Sequence, residues 1–194
     1  MIEPIPYYPR SFVRPARLLD VPSAWVGVEN ALACIFADFR RTYTGLAVEI
    51  GTDYGYSAAA LSNFFDHVTT VDFFRSEQGD SQTGYRDPDQ FERVTGLLAD
   101  FPVTVVCADF RDWIRDDYPK VDCVHADLVH DYQPTYEALR WAVDHTDLVL
   151  AHDSRAFPEV MRALKDVAVE SGCLLYEWPE RWGLGILSRG GLKP

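Results

Sequence analysis

Lysine is scarce in this chain: only 3 of its 18 basic residues are lysine and 15 are arginine, set against 20 aspartates and 10 glutamates. The net charge of −12 repels phosphate backbones and anionic lipid, which argues against general nucleic-acid binding and against a membrane surface. Long apolar runs are also missing, so nothing reaches the roughly 20 residues needed to cross a bilayer. The opening MIEPIPYYPRSFVRP is broken by proline and lacks the apolar core of a signal peptide, so a cytoplasmic location is expected. There is no C-x-x-C pair. Cys34, Cys107, Cys123 and Cys173 are widely spaced within apolar runs and read as buried reduced thiols. Internal repeats, low-complexity tracts and interdomain linkers are absent.

What remains is a chain of 194 residues, 47% hydrophobic and 13% aromatic, enough for one domain with a full core and too apolar for disorder. A proline-rich arm spans residues 1–22 and the domain residues 23–194. Residues 23–41 carry Trp25, Val28, Leu32, Ile35, Phe36 and Phe39 at three- and four-residue spacing, the pattern of an amphipathic helix. Seven short apolar runs follow, at residues 46–50, 67–71, 103–107, 121–126, 147–151, 173–178 and 185–187. Helical patterns at 57–65, 87–100, 110–116, 133–145 and 158–171 alternate with them. Strands buried on both faces and separated by helices predict a doubly wound, Rossmann-like α/β sheet of seven strands, with helices on both faces. Ligands of such sheets bind beyond the carboxyl ends of the strands.

The residues just past the strands are therefore the informative ones. The first run leads into Glu49-Ile50-Gly51-Thr52-Asp53-Tyr54-Gly55-Tyr56-Ser57. Two glycines four residues apart permit a tight turn and close approach of backbone to a ligand, though packing alone also explains such turns. The G-x-G-x-x-G fingerprint is incomplete, which disfavours hydride transfer. Asp72 ends the second strand, about 20 residues after the turn, where a ribose diol is held in nucleoside-binding sheets; a solvated strand end is the alternative. Asp109, after the third strand, is placed either for an adenine amino group or to cap the helix starting near Phe110. The fourth and fifth strands run into Asp127-Leu128-Val129-His130-Asp131-Tyr132 and His152-Asp153-Ser154. Adjacent strand-end carboxylates suit a hard divalent cation, and His130 suits proton transfer near neutral pH. The segment 73–93, with Arg75 and Arg86, reads as either a lid over an acceptor or a solvated loop.

With these motifs the sequence resembles the class I S-adenosylmethionine-dependent methyltransferases, and among them the small cation-dependent O-methyltransferases of the catechol and macrolide-sugar type. The resemblance runs from about Gly45 to Arg189. It implies a mostly parallel sheet whose last strand, led into by Trp182-Gly183-Leu184-Gly185, is antiparallel. It implies a cofactor site of Glu49, Gly51, Asp53, Tyr54, Gly55, Ser57, Asp72, Asp109 and Asp127. In it Gly51 and Gly55 line the methionine end of S-adenosylmethionine, Ser57 binds its carboxylate, Asp72 its ribose, and Asp109 lies near the adenine. Asp127 and Asp153, with Ser154 at the third ligand position, would hold Mg2+, and His130 with Asp127 would form the catalytic pair. Two positions depart from the family pattern. Ser154 replaces a carboxylate or amide ligand, and Val129 replaces an acid.

The expected activity is O-methylation of a small-molecule acceptor, with a divalent cation assisting. The alternatives are a non-catalytic S-adenosylmethionine or nucleoside-binding module and an interaction protein on the same scaffold. A nucleic-acid methyltransferase fits less well, since the charge is wrong and no Asn-Pro-Pro-Tyr-like segment follows the fourth strand. Assembly into a homo-oligomer stays open.

Overall fold

The computed structural model describes residues 2–40, 44–74 and 89–193. Among these residues eight strands form one sheet: β1 (Ile5–Pro6), β2 (Leu46–Ile50), β3 (His67–Asp72), β4 (Val103–Cys107), β5 (Cys123–Ala126), β6 (Leu148–His152), β7 (Leu174–Trp178) and β8 (Leu184–Ser188). Their spatial order is β1-β7-β8-β6-β5-β2-β3-β4. All pairings are parallel except those of β8, which runs antiparallel to both β6 and β7. Strand order reverses between β2 and β5, which places the switch point of this sheet beside residue Ile50 and residue Ala126.

The expected sheet of seven strands gains an eighth. Ile5–Pro6, inside the proline-rich arm, adds a two-residue parallel strand to the edge at β7. Proline is tolerated there because an edge strand leaves one side of its backbone unpaired. Just beyond it Tyr7 is buried edge-on to Phe39, whose ring in turn meets Tyr176, and the Tyr7 hydroxyl donates to Asp38 over 3.0 Å.

The helices are α1 (Leu32–Phe39), α2 (Tyr56–Leu61), α3 (Gln90–Leu97), α4 (Phe110–Trp113), α5 (Tyr132–His145) and α6 (Pro158–Ser171). The helix expected over 23–41 is confined to α1 and a preceding 3-10 turn, Glu29–Ala31. Gly27 interrupts it at φ +102°, a conformation no helical residue adopts. The apolar positions of that segment are buried all the same, with Trp25, Leu32, Ile35 and Phe39 at 1% exposure or less. α6 shows how local signals set boundaries: Pro158 opens it with its fixed φ, and Gly172 ends it in the left-handed region.

Alternation along each strand divides the core. On one face Val48, Ile50, Val124, Ala126 and Val149 pack against α5 and α6. On the other, Ala47, Val68, Cys123, Leu148 and Leu150 pack against Trp25, α1 and α2. Each large buried aliphatic side chain contributes about 1.5–3 kcal/mol. β4 departs from the expectation of strands buried on both faces: it is the outer strand, its residues are only half-buried, and Cys107 is exposed, while Cys34, Cys123 and Cys173 are buried free thiols. Among the described residues no helix is long and apolar enough to cross a membrane.

Candidate functional site

The carboxyl edge of the parallel strands is where the backbone is most constrained. Among the described residues, the non-glycine ones at positive φ are Asp53, Phe74, Asp153, Arg181 and Trp182. They follow β2, β3, β6 and β7, so every one lies at this edge. Such conformations cost about 1–3 kcal/mol each and persist only where surrounding contacts impose them.

The glycine turn after β2 is held by named contacts. Gly51 donates its N–H to the Val71 carbonyl, and Gly55 donates to Thr52, closing the turn before α2. The Asp72 carboxylate braces the same turn: one oxygen accepts the N–H groups of Thr52 (2.8 Å) and Asp53 (3.0 Å), the other that of Phe74 (2.8 Å). Gln90, from α3, donates its side-chain amide to the Asp53 carbonyl. Tyr54 is exposed at the tip of the turn, and Ser57 is buried in the first turn of α2. Asp109 takes the capping alternative: its side chain accepts from the Arg111 N–H at 2.9 Å.

Gly51 also meets the second half of the site. A Cβ built on it would lie 1.7 Å from the Asp127 carbonyl oxygen, so turn and fourth-strand motif touch through backbone. Beyond that contact, Asp127, His130 and Asp153 converge, with one ligand-type atom from each within 4.8 Å of the others. His130 Nε2 lies 2.8 Å from Asp153 and 3.9 Å from Asp127. Its ring stacks on Phe157 with centroids 3.9 Å apart and planes 6° from parallel. His152 faces the same carboxylates with Nδ1, 3.3 Å from Asp127 and 3.5 Å from Asp153. A carbonyl can only accept, so His152 Nε2–H donates to Arg181, which fastens the Arg181–Gly183 loop to the site.

The electrostatics follow from two carboxylates sharing two imidazoles. Burial disfavours charge on His130, but Asp127 and Asp153 outweigh it and push its pKa up to about 9. Burial would lower the pKa of His152 as well, but the Asp127 interactions, with Asp153 adding to them, outweigh it and raise that pKa. Burial would raise the pKa of Asp127, yet His130 and His152 hold that carboxyl below the ordinary range.

Residues 48–154, more than half of the chain, match a family model described as a methyltransferase domain. The chain belongs to the class I S-adenosylmethionine-dependent methyltransferases. The curated proteins contain no match to this methyltransferase. Among solved structures it resembles a protein assigned as a caffeoyl-CoA O-methyltransferase from Staphylococcus aureus, at 14% identity and TM-score 0.59, over 91% of this chain and 86% of that one. It resembles S-adenosylmethionine-bound CalS10, an amino pentose methyltransferase from Micromonospora echinaspora, at 11% identity and TM-score 0.54, over 74% and 83%. A protein assigned as an RNA methyltransferase from Pyrococcus horikoshii is similar at 15% identity and TM-score 0.53, over 87% and 90%. At these identities the likeness is one of fold.

Not every residue singled out from the sequence faces the open edge. Glu49 is fully buried, with one carboxylate oxygen accepting from Thr70 (2.6 Å) and the other 3.0 Å from His125 Nδ1. Ser154 is buried with its hydroxyl against Gly183 and without a hydrogen-bond partner. Among the His, Cys, Asp and Glu side chains described, the one grouped with Asp127 and Asp153 is His130. Two carboxylates and an imidazole fit a divalent cation, and the nitrogen suits a transition metal better than it suits magnesium. Arg75, Arg86 and most of the lid candidate lie outside the described residues.

Sequence reasoning passed over His152 and Phe157 as site residues. His152 had a signal, its place directly before Asp153 at a strand end. Phe157 had none, because only the fold brings it over His130.

Proposed function

We propose that this methyltransferase transfers a methyl group from S-adenosylmethionine to a hydroxyl of a small-molecule acceptor. The observation that carries the reading is the His130 imidazole held between Asp127 and Asp153 directly beside the glycine turn, a proton acceptor at the place where an acceptor hydroxyl would meet the cofactor. The residues fit the cofactor: a glycine turn in left-handed geometry at the switch point, and an acid at the end of the neighbouring strand. When bound, S-adenosylmethionine supplies a methyl carbon already activated by its sulfonium.

What the protein adds is alignment and management of one proton. In this reading Gly51, Asp53, Tyr54, Gly55 and Ser57 line the methionine end, and Asp72 takes the ribose while bracing the turn. Asp109 would stand near the adenine, with one carboxylate oxygen taking the capping bond and the other 3.9 Å from the Arg111 guanidinium. Phe157 fixes the plane of His130, and Asp127 and Asp153 orient its Nε2. The chain's own part would be to take the acceptor's hydroxyl proton on neutral His130, while S-adenosylmethionine, when bound, would supply the methyl group and leave as S-adenosylhomocysteine. A divalent cation, if one is taken up, would be held by Asp127 and Asp153 and would acidify the acceptor hydroxyl. One imidazole cannot both bind that cation and accept the proton, so metal titration separates the two roles of His130. The net charge of −12 favours a small acceptor over a nucleic acid.

Calorimetry with S-adenosylhomocysteine, followed by methyl transfer across a panel of small hydroxylated acceptors, tests the reading. Binding together with transfer supports it. Binding without transfer, with or without a divalent cation, leaves a cofactor-binding module. The absence of thermal stabilisation at 100-fold the expected dissociation constant, where a true ligand adds about 2.7 kcal/mol, leaves an interaction protein.

A further inference from the structure

Beneath the glycine turn, on the face of the sheet covered by Trp25, a row of polar side chains crosses three strands. Register places Thr70, Glu49 and His125 side by side on β3, β2 and β5, and all three are fully buried. The hydrogen bonds run in one direction. His125 Nδ1–H and the Thr70 hydroxyl both donate to Glu49, at 3.0 and 2.6 Å. The Thr70 proton is thereby committed, so the Thr52 hydroxyl must be the donor in its 2.6 Å contact with Thr70. Thr52 belongs to the glycine turn, and its N–H is the one accepted by Asp72.

At its other end the row approaches the acid pair. The His125 ring lies edge-on to the Trp25 indole, with centroids 4.6 Å apart. Trp25 in turn lies 6.1 Å from His152, whose Nδ1 faces Asp127. A carboxylate so deep in a core is costly, and a well-packed apolar replacement is often the more stable choice, so core stability alone does not account for it. Both Glu49 oxygens are occupied within the core, which leaves neither for a ligand.

We propose that Glu49, His125 and Thr70 are positioning residues: they hold the glycine turn at its height above the sheet through the Thr52 hydroxyl, and so set the cofactor's place relative to Asp127. This rests on the cofactor reading given above and assigns Glu49 a different part in it, as a brace and not a contact. Trp25, closing the row from above, keeps water from competing for the Glu49 oxygens.

The test is a double-mutant cycle on S-adenosylhomocysteine affinity, with Thr70→Val, Thr52→Val, the double variant and the conservative Thr70→Ser, each also melted. Either valine breaks the same chain, so each weakens binding about tenfold, the double variant is no weaker than the worse single one, and Thr70→Ser stays within about twofold of wild type. Thr52→Val removes only the outermost link and keeps the cycle readable if Thr70→Val does not fold. A lower melting temperature with unchanged affinity in both valine variants, or losses that add in the double variant, overturns the proposal. A wild-type chain that does not bind S-adenosylhomocysteine overturns the cofactor reading and this inference together, and is thereby distinguished from a failure of the network alone.

Discussion

Among the described glycines, Gly51 is the one where an added Cβ would meet the shortest contact. Its φ of +98° is outside the region L side chains adopt, and the left-handed conformation alone costs about 1–2 kcal/mol. The new Cβ would also sit 1.7 Å from the Asp127 carbonyl oxygen and 2.5 Å from its carbon. Those are backbone atoms of β5's continuation, fixed by the Asp127 N–H to Ile50 bond, so they cannot rotate away. Relief requires the turn to part from the acid loop, and Gly51→Ala should lose at least about 3 kcal/mol in all.

For a chain of this size that is a fall in melting temperature of about 6–12 °C. Binding of S-adenosylhomocysteine should fall below detection, because the turn and Asp127 no longer share their contact. Gly55→Ala provides the contrast. There φ is +82°, but the new Cβ meets the ends of the Leu98 and Val94 side chains at 2.9 and 3.2 Å, which can shift. Its cost should be about 1–2 kcal/mol, or about 2–8 °C. Differential scanning fluorimetry and calorimetry on the two variants measure this. A Gly51→Ala protein that melts within about 2 °C of wild type and binds the ligand normally would refute the reasoning.

Asp72→Ala should weaken S-adenosylhomocysteine binding by about 1–3 kcal/mol, since it removes both a proposed ribose contact and the acceptor for the Thr52 and Asp53 N–H groups; unchanged affinity would exclude both roles. With its pKa pushed up to about 9, His130 is protonated at neutral pH, so the metal-free transfer rate should rise about tenfold per pH unit and level off near pH 9, and His130→Ala should bind cofactor normally but lose that rise. The sign for stability is opposite. The folded pKa lies above the ordinary 6.5, so the stabilisation from His130 is complete below pH 6.5 and is lost as pH climbs through about 9; a melting temperature flat over that window would exclude the ion pairs.

Much of the fold was legible along the chain because buried parallel strands are apolar on both faces and announce themselves as short runs. β2, β4 and α6 begin and end where hydrophobic pattern, Pro158 and Gly172 put them. The same logic explains the failures. Residues 23–41 carry a helical apolar spacing, but Gly27 breaks the backbone while tertiary packing still buries Trp25. Cys107 lies in an apolar run yet is exposed, because whether a strand is central or outermost is decided by pairing order, which no local pattern encodes.

The site divides in the same way. Sequence alone determined which acids end strands, because strand period and turn chemistry are local: Asp72, Asp127 and Asp153 are at the carboxyl edge for that reason. It also determined that the chain is poor in lysine and strongly acidic, which bears on acceptors before any fold is known. Only tertiary structure decided what these groups do to one another. The contact of Gly51 with Asp127, the stacking of Phe157 on His130 and the donation from His152 to Arg181 all join residues far apart in the chain. The burial of Glu49 was decided there too. An acid next to a glycine turn reads as a ligand until sheet register sets Thr70 and His125 on either side of it, and a carboxylate satisfied by its own core has no oxygen left to offer.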